Sequence, residues 1–227
     1  MNLRRWTTIL FALLIAAITL VWQFPARGLL LLLPASALSS PMHRVHVIEG
    51  RLWRGAVSLS VTALPALQRV AWQCNVSPLS ASVDCTLSGA LQGAVTIQPF
   101  TGIAVARNLE FSSALDYRAN TNLAVASDAL YVRIESATVS RTRLELKANA
   151  TAKDLVVASP ALVPPRAALG EMFVECAPYT ASGTTNCTAK NRASATRVDG
   201  NVTLAINRVR GAIEVASPGA APLKLGF

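Results

Sequence analysis

The stretch Asn201-Val202-Thr203-Leu204-Ala205-Ile206-Asn207 alternates polar and apolar side chains. Successive side chains of a β-strand point to opposite faces, so this period predicts a strand with one apolar and one polar face. The same period recurs at residues 57–61, 95–97, 132–134, 144–147 and 213–215. Antiparallel sheets with one solvated face show this pattern, whereas buried parallel strands do not. The sequence therefore predicts a mainly β fold, either a curved antiparallel sheet or an open barrel or sandwich.

Turn-forming residues between the alternating segments predict many short strands. Among them are Gly89, Gly93, Asn108, Gly200 and Gly211. Residues 166–172 are the exception, because they follow Pro164-Pro165 and proline suits the first turn of a helix. We predict a short helix there.

The composition excludes two broad classes of protein. The 227 residues are 52% hydrophobic and 15% charged, with a net charge of +9. Intrinsic disorder needs low hydrophobicity and high charge, and ordinary soluble domains carry about 25% charged residues. Ser, Thr and Asn on the polar faces of the strands explain part of the low charge, and a membrane segment explains another part.

Residues 6–24 form an uncharged run whose helical length, about 28 Å, matches the hydrocarbon core of a bilayer. Arg4 and Arg5 precede the run and favour a cytoplasmic N-terminus. We predict a cytoplasmic segment at 1–5, one transmembrane helix at 6–24 with an extension to residue 33 as an alternative, a linker at 34–43 and a periplasmic β-domain at 44–227. A signal peptide cleaved near residues 35–37 is the competing interpretation, although its apolar region is usually shorter.

Four cysteines lie beyond the predicted anchor, and they form two pairs that are each separated by 11 residues: Cys74 with Cys85, and Cys176 with Cys187. Four cysteines allow three connectivities, and the equal spacing favours these two local disulfides across hairpins. Zinc ligation is the alternative, but zinc sites usually contain closer pairs. Disulfides indicate an oxidising compartment such as the periplasm.

The two cysteine pairs are offset by 102 residues, which suggests two related halves, 44–158 and 166–227, within one continuous sheet. Two hairpins that share a spacing by chance are the alternative.

Residues suited to catalysis are scarce. The two histidines, His43 and His46, are three residues apart, and no Gly-rich phosphate loop is present. We therefore predict no enzymatic activity, no cofactor and no metal site. Without Arg4 and Arg5 the net charge falls from +9 to +7, which favours contact with anionic lipid or an acidic protein and disfavours nucleic acid as the partner of an anchored exterior domain.

Residues 47–55 contain the element Gly50-x-Leu52-Trp53-x-Gly55, and a second element runs from Trp72 to Pro78 and Leu79. With the predicted anchor and β-domain, this layout resembles the protein N family of the bacterial type II secretion system (general secretion pathway protein N). The first element also occurs, more loosely, in AsmA-like lipid-transfer proteins of the envelope.

The resemblance implies a non-enzymatic accessory or scaffold component of the inner-membrane platform, which takes part in exporting folded proteins from the periplasm across the outer membrane. Its partners would be other inner-membrane components, including the bitopic protein that links to the secretin. An AsmA-like protein with an apolar sheet groove for lipid is the alternative. Glycine at positions 50 and 55 permits tight turns or close backbone approach, and core packing is the favoured role of Trp53 and Trp72 over contact with a partner.

Overall fold

The computed structural model describes residues 25–26, 39–40, 43–65, 68–77, 80–119, 123–159, 165–179, 182–192, 195–206, 208–216 and 222–226. The predicted anchor at 6–24, its alternative extension to residue 33 and the motif residue Pro78 lie outside these ranges. Within them, no helix is long and apolar enough to cross a membrane.

The described residues form one antiparallel sheet of 14 strands, in which every strand pairs with its neighbours in sequence. The strands are β1 (Ser39–Ser40), β2 (His43–Arg51), β3 (Arg54–Val61), β4 (Arg69–Ser77), β5 (Ser82–Gly89), β6 (Leu91–Gln98), β7 (Ile103–Ala119), β8 (Leu123–Val139), β9 (Leu144–Ala158), β10 (Arg166–Tyr179), β11 (Thr184–Arg192), β12 (Arg197–Ala205), β13 (Arg208–Ala216) and β14 (Leu223–Gly226). β1 and β14 form the two edges, so the sheet is open. The predicted mainly β, antiparallel architecture is confirmed.

Apolar side chains gather on one face of the sheet, which we call the apolar face. One row across β4 to β9 consists of Cys74, Cys85, Val95, Ala106, Ala137 and Leu146. The next row contains Val76, Val83, Ile97, Ala104, Val139 and Leu144. The opposite, polar face carries exposed ion pairs such as Arg133–Glu110 at 3.3 Å. The alternation seen in the sequence thus divides the whole sheet into two chemically different faces.

The long strands β7 to β10 keep the apolar face apolar by means of bulges. In β9, residues 144, 146, 148, 150 and 152 lie on this face, whereas after Asp154 the residues are Leu155 and Val157. Asp154 has a φ of 51°, and the register shifts beside it. An extra residue turns all following side chains to the other face, so the change from even to odd positions coincides with the bulge.

The predicted helix at 166–172 is wrong, because these residues begin β10. Ala167 and Leu169 are buried while Ala168 between them is exposed, which is the period of a strand. Gly170, with a φ of 66°, then forms a bulge. Apolar contact with the rest of the sheet outweighs the helix-start tendency of the two prolines.

The predicted turns at Gly93, Asn108, Gly200 and Gly211 are also wrong. All four residues lie inside strands. Gly93, at a φ of 141°, faces Asn108, at a φ of 50°, where the register between β6 and β7 shifts. A bulge uses the same residue types as a turn, because both need an unusual backbone conformation.

The best-packed cluster lies in the C-terminal part of the sheet and consists of Ala152, Leu155, Ala167, Leu169 and Val198. Asn191 in β11 stabilises its edge through three backbone hydrogen bonds. Its Nδ2 donates to Leu169 O at 3.0 Å and Thr196 O at 2.6 Å, and its Oδ1 accepts from Val198 N at 2.8 Å. These bonds satisfy backbone groups that the irregular pairing would otherwise leave unpaired.

Thr185 at the start of β11 is fully buried and joins two strands that are not neighbours in the sheet order. β10 pairs with β9 only as far as Cys176, although it continues along β11 to Tyr179. There Thr185 Oγ1 accepts from Leu146 N at 2.8 Å and donates to Leu144 O at 2.9 Å. Beyond the end of the β9–β10 ladder, this hydroxyl and the bond from Leu144 N to Gly183 O at 3.0 Å therefore link β9 directly to the start of β11.

We expect Thr185→Val to lower the free energy of unfolding by roughly 1–3 kcal/mol, because valine fills the same volume but leaves the N–H of Leu146 and the C=O of Leu144, both on half-buried residues, without their partner. Urea titration followed by tryptophan fluorescence measures the change. Thr188→Val on the exposed side of the same strand is the matched control, and equal midpoints for the two variants would contradict the assigned role.

Candidate functional site

Five motif residues of the sequence meet at one corner of the sheet, where β2 turns into β3 and β3 pairs with β4. Leu52 and Trp53 form the turn. Gly50 pairs with Gly55 across the hairpin, and Gly55 pairs with Trp72 of β4. We call these five residues the glycine–tryptophan corner.

Both glycines are required by the close packing of this corner. Gly50 has a φ of 89°, and a Cβ there would lie 2.5 Å from Arg54 O. A Cβ on Gly55 would collide with Glu49 O and lie 2.6 Å from Cζ2 of Trp72. The indole ring thus rests directly on the glycine backbone of the neighbouring strand, and larger residues would displace it.

Two hydrogen bonds fix the turn to β4. Trp72 Nε1 donates to Leu52 O at 2.9 Å, and the backbone N–H of Cys74 donates to Trp53 O at 2.6 Å. Cys74 is in turn bonded to Cys85 of β5. The corner therefore holds three consecutive hairpin strands together, and both indoles are half-buried, as expected for packing residues.

The predicted disulfides Cys74–Cys85 and Cys176–Cys187 are both formed, each between residues that face each other in a hairpin. Their surroundings are similar. Thr96 Oγ1 donates to Oδ1 of Asp84 at 2.7 Å, and Thr203 Oγ1 donates to Oδ1 of Asn186 at 2.9 Å, where Asp84 and Asn186 each precede the second cysteine. The relationship between two halves stays a prediction, now with matching hydrogen bonds as well as matching spacing.

Two open clefts flank the corner. One, of about 470 Å³, lies on the polar face between Gln73, Thr86, Ser88 and the ion pair Arg69–Glu49, whose atoms are 3.6 Å apart. The other, of about 430 Å³, lies between Trp53, Arg54 and Cys74. The charged residues Glu49, Arg54 and Arg69 were not singled out by the sequence pattern, because only the register brings them together. These clefts offer hydrogen-bonding and ionic groups suited to binding.

Titratable groups elsewhere occupy structural positions. His46 Nε2 lies 2.9 Å from Ser60 Oγ on the exposed surface. Lys147 Nζ lies 2.6 Å from Glu135 Oε2, and this hydrogen bond and the opposite charge lower the pKa of Glu135 and raise the pKa of Lys147. In the described ranges, His, Cys, Asp and Glu form no group of three that would hold a metal ion.

Comparison of the chain with protein-family models, with curated proteins and with solved structures finds no match.

We expect Gly55→Ala to destabilise the protein by about 1–3 kcal/mol, since the added methyl group overpacks the contact with Trp72 and Glu49 O. Denaturant titration measures the loss, and a changed tryptophan emission maximum reports displacement of the ring. Gly102→Asn is the control, because a Cβ there would have only Arg141 Nε nearby, at 3.9 Å, and asparagine tolerates its φ of 67°. Equal stability of Gly55→Ala and wild type would refute the packing role.

Proposed function

We propose that this protein is a non-enzymatic accessory component of the inner-membrane platform of a type II secretion system, with one N-terminal membrane anchor and its sheet in the periplasm. The glycine–tryptophan corner is the observation that carries the proposal. Gly50, Leu52, Trp53 and Gly55 of the first element that resembles the protein N family pack with Trp72 of the second, beside the disulfide of Cys74. Because these motif residues pack together in the fold, the resemblance supports an architecture shared with the protein N family.

Two further features support a scaffold in the envelope. Both disulfides join neighbouring strands, which suits an oxidising compartment. The single open sheet also exposes a broad polar face with ion pairs and clefts, and such a surface suits contact with other proteins. The partners proposed are the other inner-membrane components, among them the bitopic protein that links to the secretin.

Deletion of the gene in its host tests this function. We expect folded substrates of the secretion system to accumulate in the periplasm and to fall several-fold in the medium, and the wild-type gene to restore export. Complementation with Gly55→Ala is expected to restore less export in proportion to the loss of folded protein, whereas Gly102→Asn restores it fully. Unchanged export in the deletion strain would contradict the proposal.

Lipid binding is the second candidate, and the exposure of the apolar face at one end favours it. Val76, Ile97 and Val139 remain 44%, 43% and 38% exposed although they lie in one row of that face. In a filled core such side chains would be buried. An apolar strip of this kind suits an acyl chain, as in the AsmA-like alternative.

Mass spectrometry of organic extracts from the purified full chain tests this candidate. We expect co-purified lipid in wild type and less than half as much in Ile97→Ser, which places a hydroxyl in the strip. Val105→Ser, whose residue pairs with Thr96 on the polar face, is the matched control and should retain the lipid. Equal lipid content in all three proteins would exclude a specific site on the apolar face.

A further inference from the structure

The order of the strands places five hairpin turns at the same end of the sheet. These turns connect β4–β5, β6–β7, β8–β9, β10–β11 and β12–β13. The last pairs before four of them are Ser77–Ser82, Gln98–Ile103, Tyr179–Thr184 and Ala205–Arg208, and the register puts them at nearly the same height. We call this end of the sheet, with the described residues of the turns and of the strand ends next to them, the turn rim.

Exposed apolar side chains are concentrated on the turn rim. In the described part of the chain nine large hydrophobic side chains are exposed, and seven of them belong to the rim: Val76, Ile97, Phe100, Val139, Tyr179, Ile206 and Val209. Phe100, at the tip of the β6–β7 turn, is 88% exposed. Single exposed apolar residues are ordinary, but a concentration at one end of a molecule marks an interaction surface.

Arginines accompany these apolar residues. Arg141 and Arg143 lie in the β8–β9 turn, and Arg208 and Arg210 lie at the start of β13; all four are exposed. No carboxylate in the described ranges forms an ion pair with any of the four. The acidic residues closest to the turns are Asp84 and Glu145. The four arginines therefore outnumber these two carboxylates. This charge suits an anionic surface.

The residue that follows the predicted anchor lies toward this same end of the sheet. Pro25, which directly follows the hydrophobic run at 6–24, forms a β-bridge with Arg51 beside the β2–β3 turn, and Ala26 is fully buried. That turn points in the same direction as the rim. Arg51 pairs with Arg54, and Arg54 pairs with Gln73 of β4, which is four residues before Ser77 at the rim. At about 3.3 Å per residue, the bridge therefore lies about 13 Å from the rim. Pro25 therefore lies nearer to the rim than to the opposite end of the sheet.

We propose that the turn rim docks on the periplasmic surface of the inner membrane, with Phe100 and Ile206 at the boundary of the acyl chains and the arginines on anionic headgroups. Aromatic and aliphatic tips flanked by basic residues are the composition that binds at such an interface. Docking would also bring the exposed ends of the apolar face, at Val76, Ile97 and Val139, against lipid. The inference rests on the membrane anchor of the proposed function.

A depth measurement on the full chain in lipid nanodiscs tests the docking. An environment-sensitive fluorescent amino acid replaces Phe100 in one protein and Gln68, an exposed residue at the opposite end of the sheet, in the control. With brominated phosphatidylglycerol we expect strong quenching at position 100 and little at position 68. Quenching that is equal at the two positions, or absent at position 100 in protein with both disulfides intact, would overturn the proposal.

The arginines are tested in the same nanodiscs. Each of Arg141→Gln and Arg143→Gln should lower the ratio of docked to undocked protein about fivefold with anionic lipid, and neither should matter with zwitterionic lipid. Arg166→Gln, at the far end of β10, should leave quenching unchanged. Quenching at position 100 that is independent of both lipid charge and the arginines would overturn the electrostatic part. A change in emission at position 100 without bromolipid quenching, when other secretion components are added, would replace the membrane with a protein partner. The export assay in the deletion strain does not depend on membrane docking, so the secretion function and the docking of the rim can each fail without the other.

Discussion

The structure depends on one constraint: the apolar side chains of neighbouring strands must all lie on the same face of the sheet. With only one layer of strands, an apolar residue that turned to the polar face would lose its contacts and meet water. β7 to β10 are 14 to 17 residues long, and over that length the apolar positions change between odd and even at each bulge. The bulges at Asn108, Asp154 and Gly170 are therefore part of the pattern that defines the apolar face.

The fold class could be predicted from the sequence because alternation acts over a few residues. The lengths of the central strands could not, since a bulge interrupts the alternation with the residue types of a turn. Gly93 and Asn108 are the clearest case: the same φ requirement that ends a hairpin strand also inserts an extra residue within one. The helix expected after Pro165 failed for a related reason, because Ala167 and Leu169 gain more from burial in the sheet than the prolines gain from starting a helix.

The candidate site also has a part that could be predicted from the sequence and a part that could not. The disulfides could be predicted because the two cysteine pairs have the same distinctive spacing. The glycines and tryptophans were recognisable as motif residues, but the contact between Trp72 and Gly55 depends on the register of β3 and β4. The turn rim could not, because Phe100, Ile206 and Arg141 are ordinary residues in separate turns and only the register of the strands brings them to one end. The cleft residues Glu49 and Arg69 illustrate the same point: they are 20 residues apart in sequence, yet form an ion pair.

The strictly sequential order of the strands also determines how the chain can assemble. Each new strand needs only its predecessor as a template, so the sheet can grow strand by strand from the N-terminal side while later segments are still being synthesised or translocated. At every stage of such growth one edge is unpaired, and the first disulfide hairpin, β4–β5, precedes most of the sheet in the chain. In the described part of the chain the outermost strands, β1 and β14, have two and four residues, so they offer little backbone with which another chain could pair.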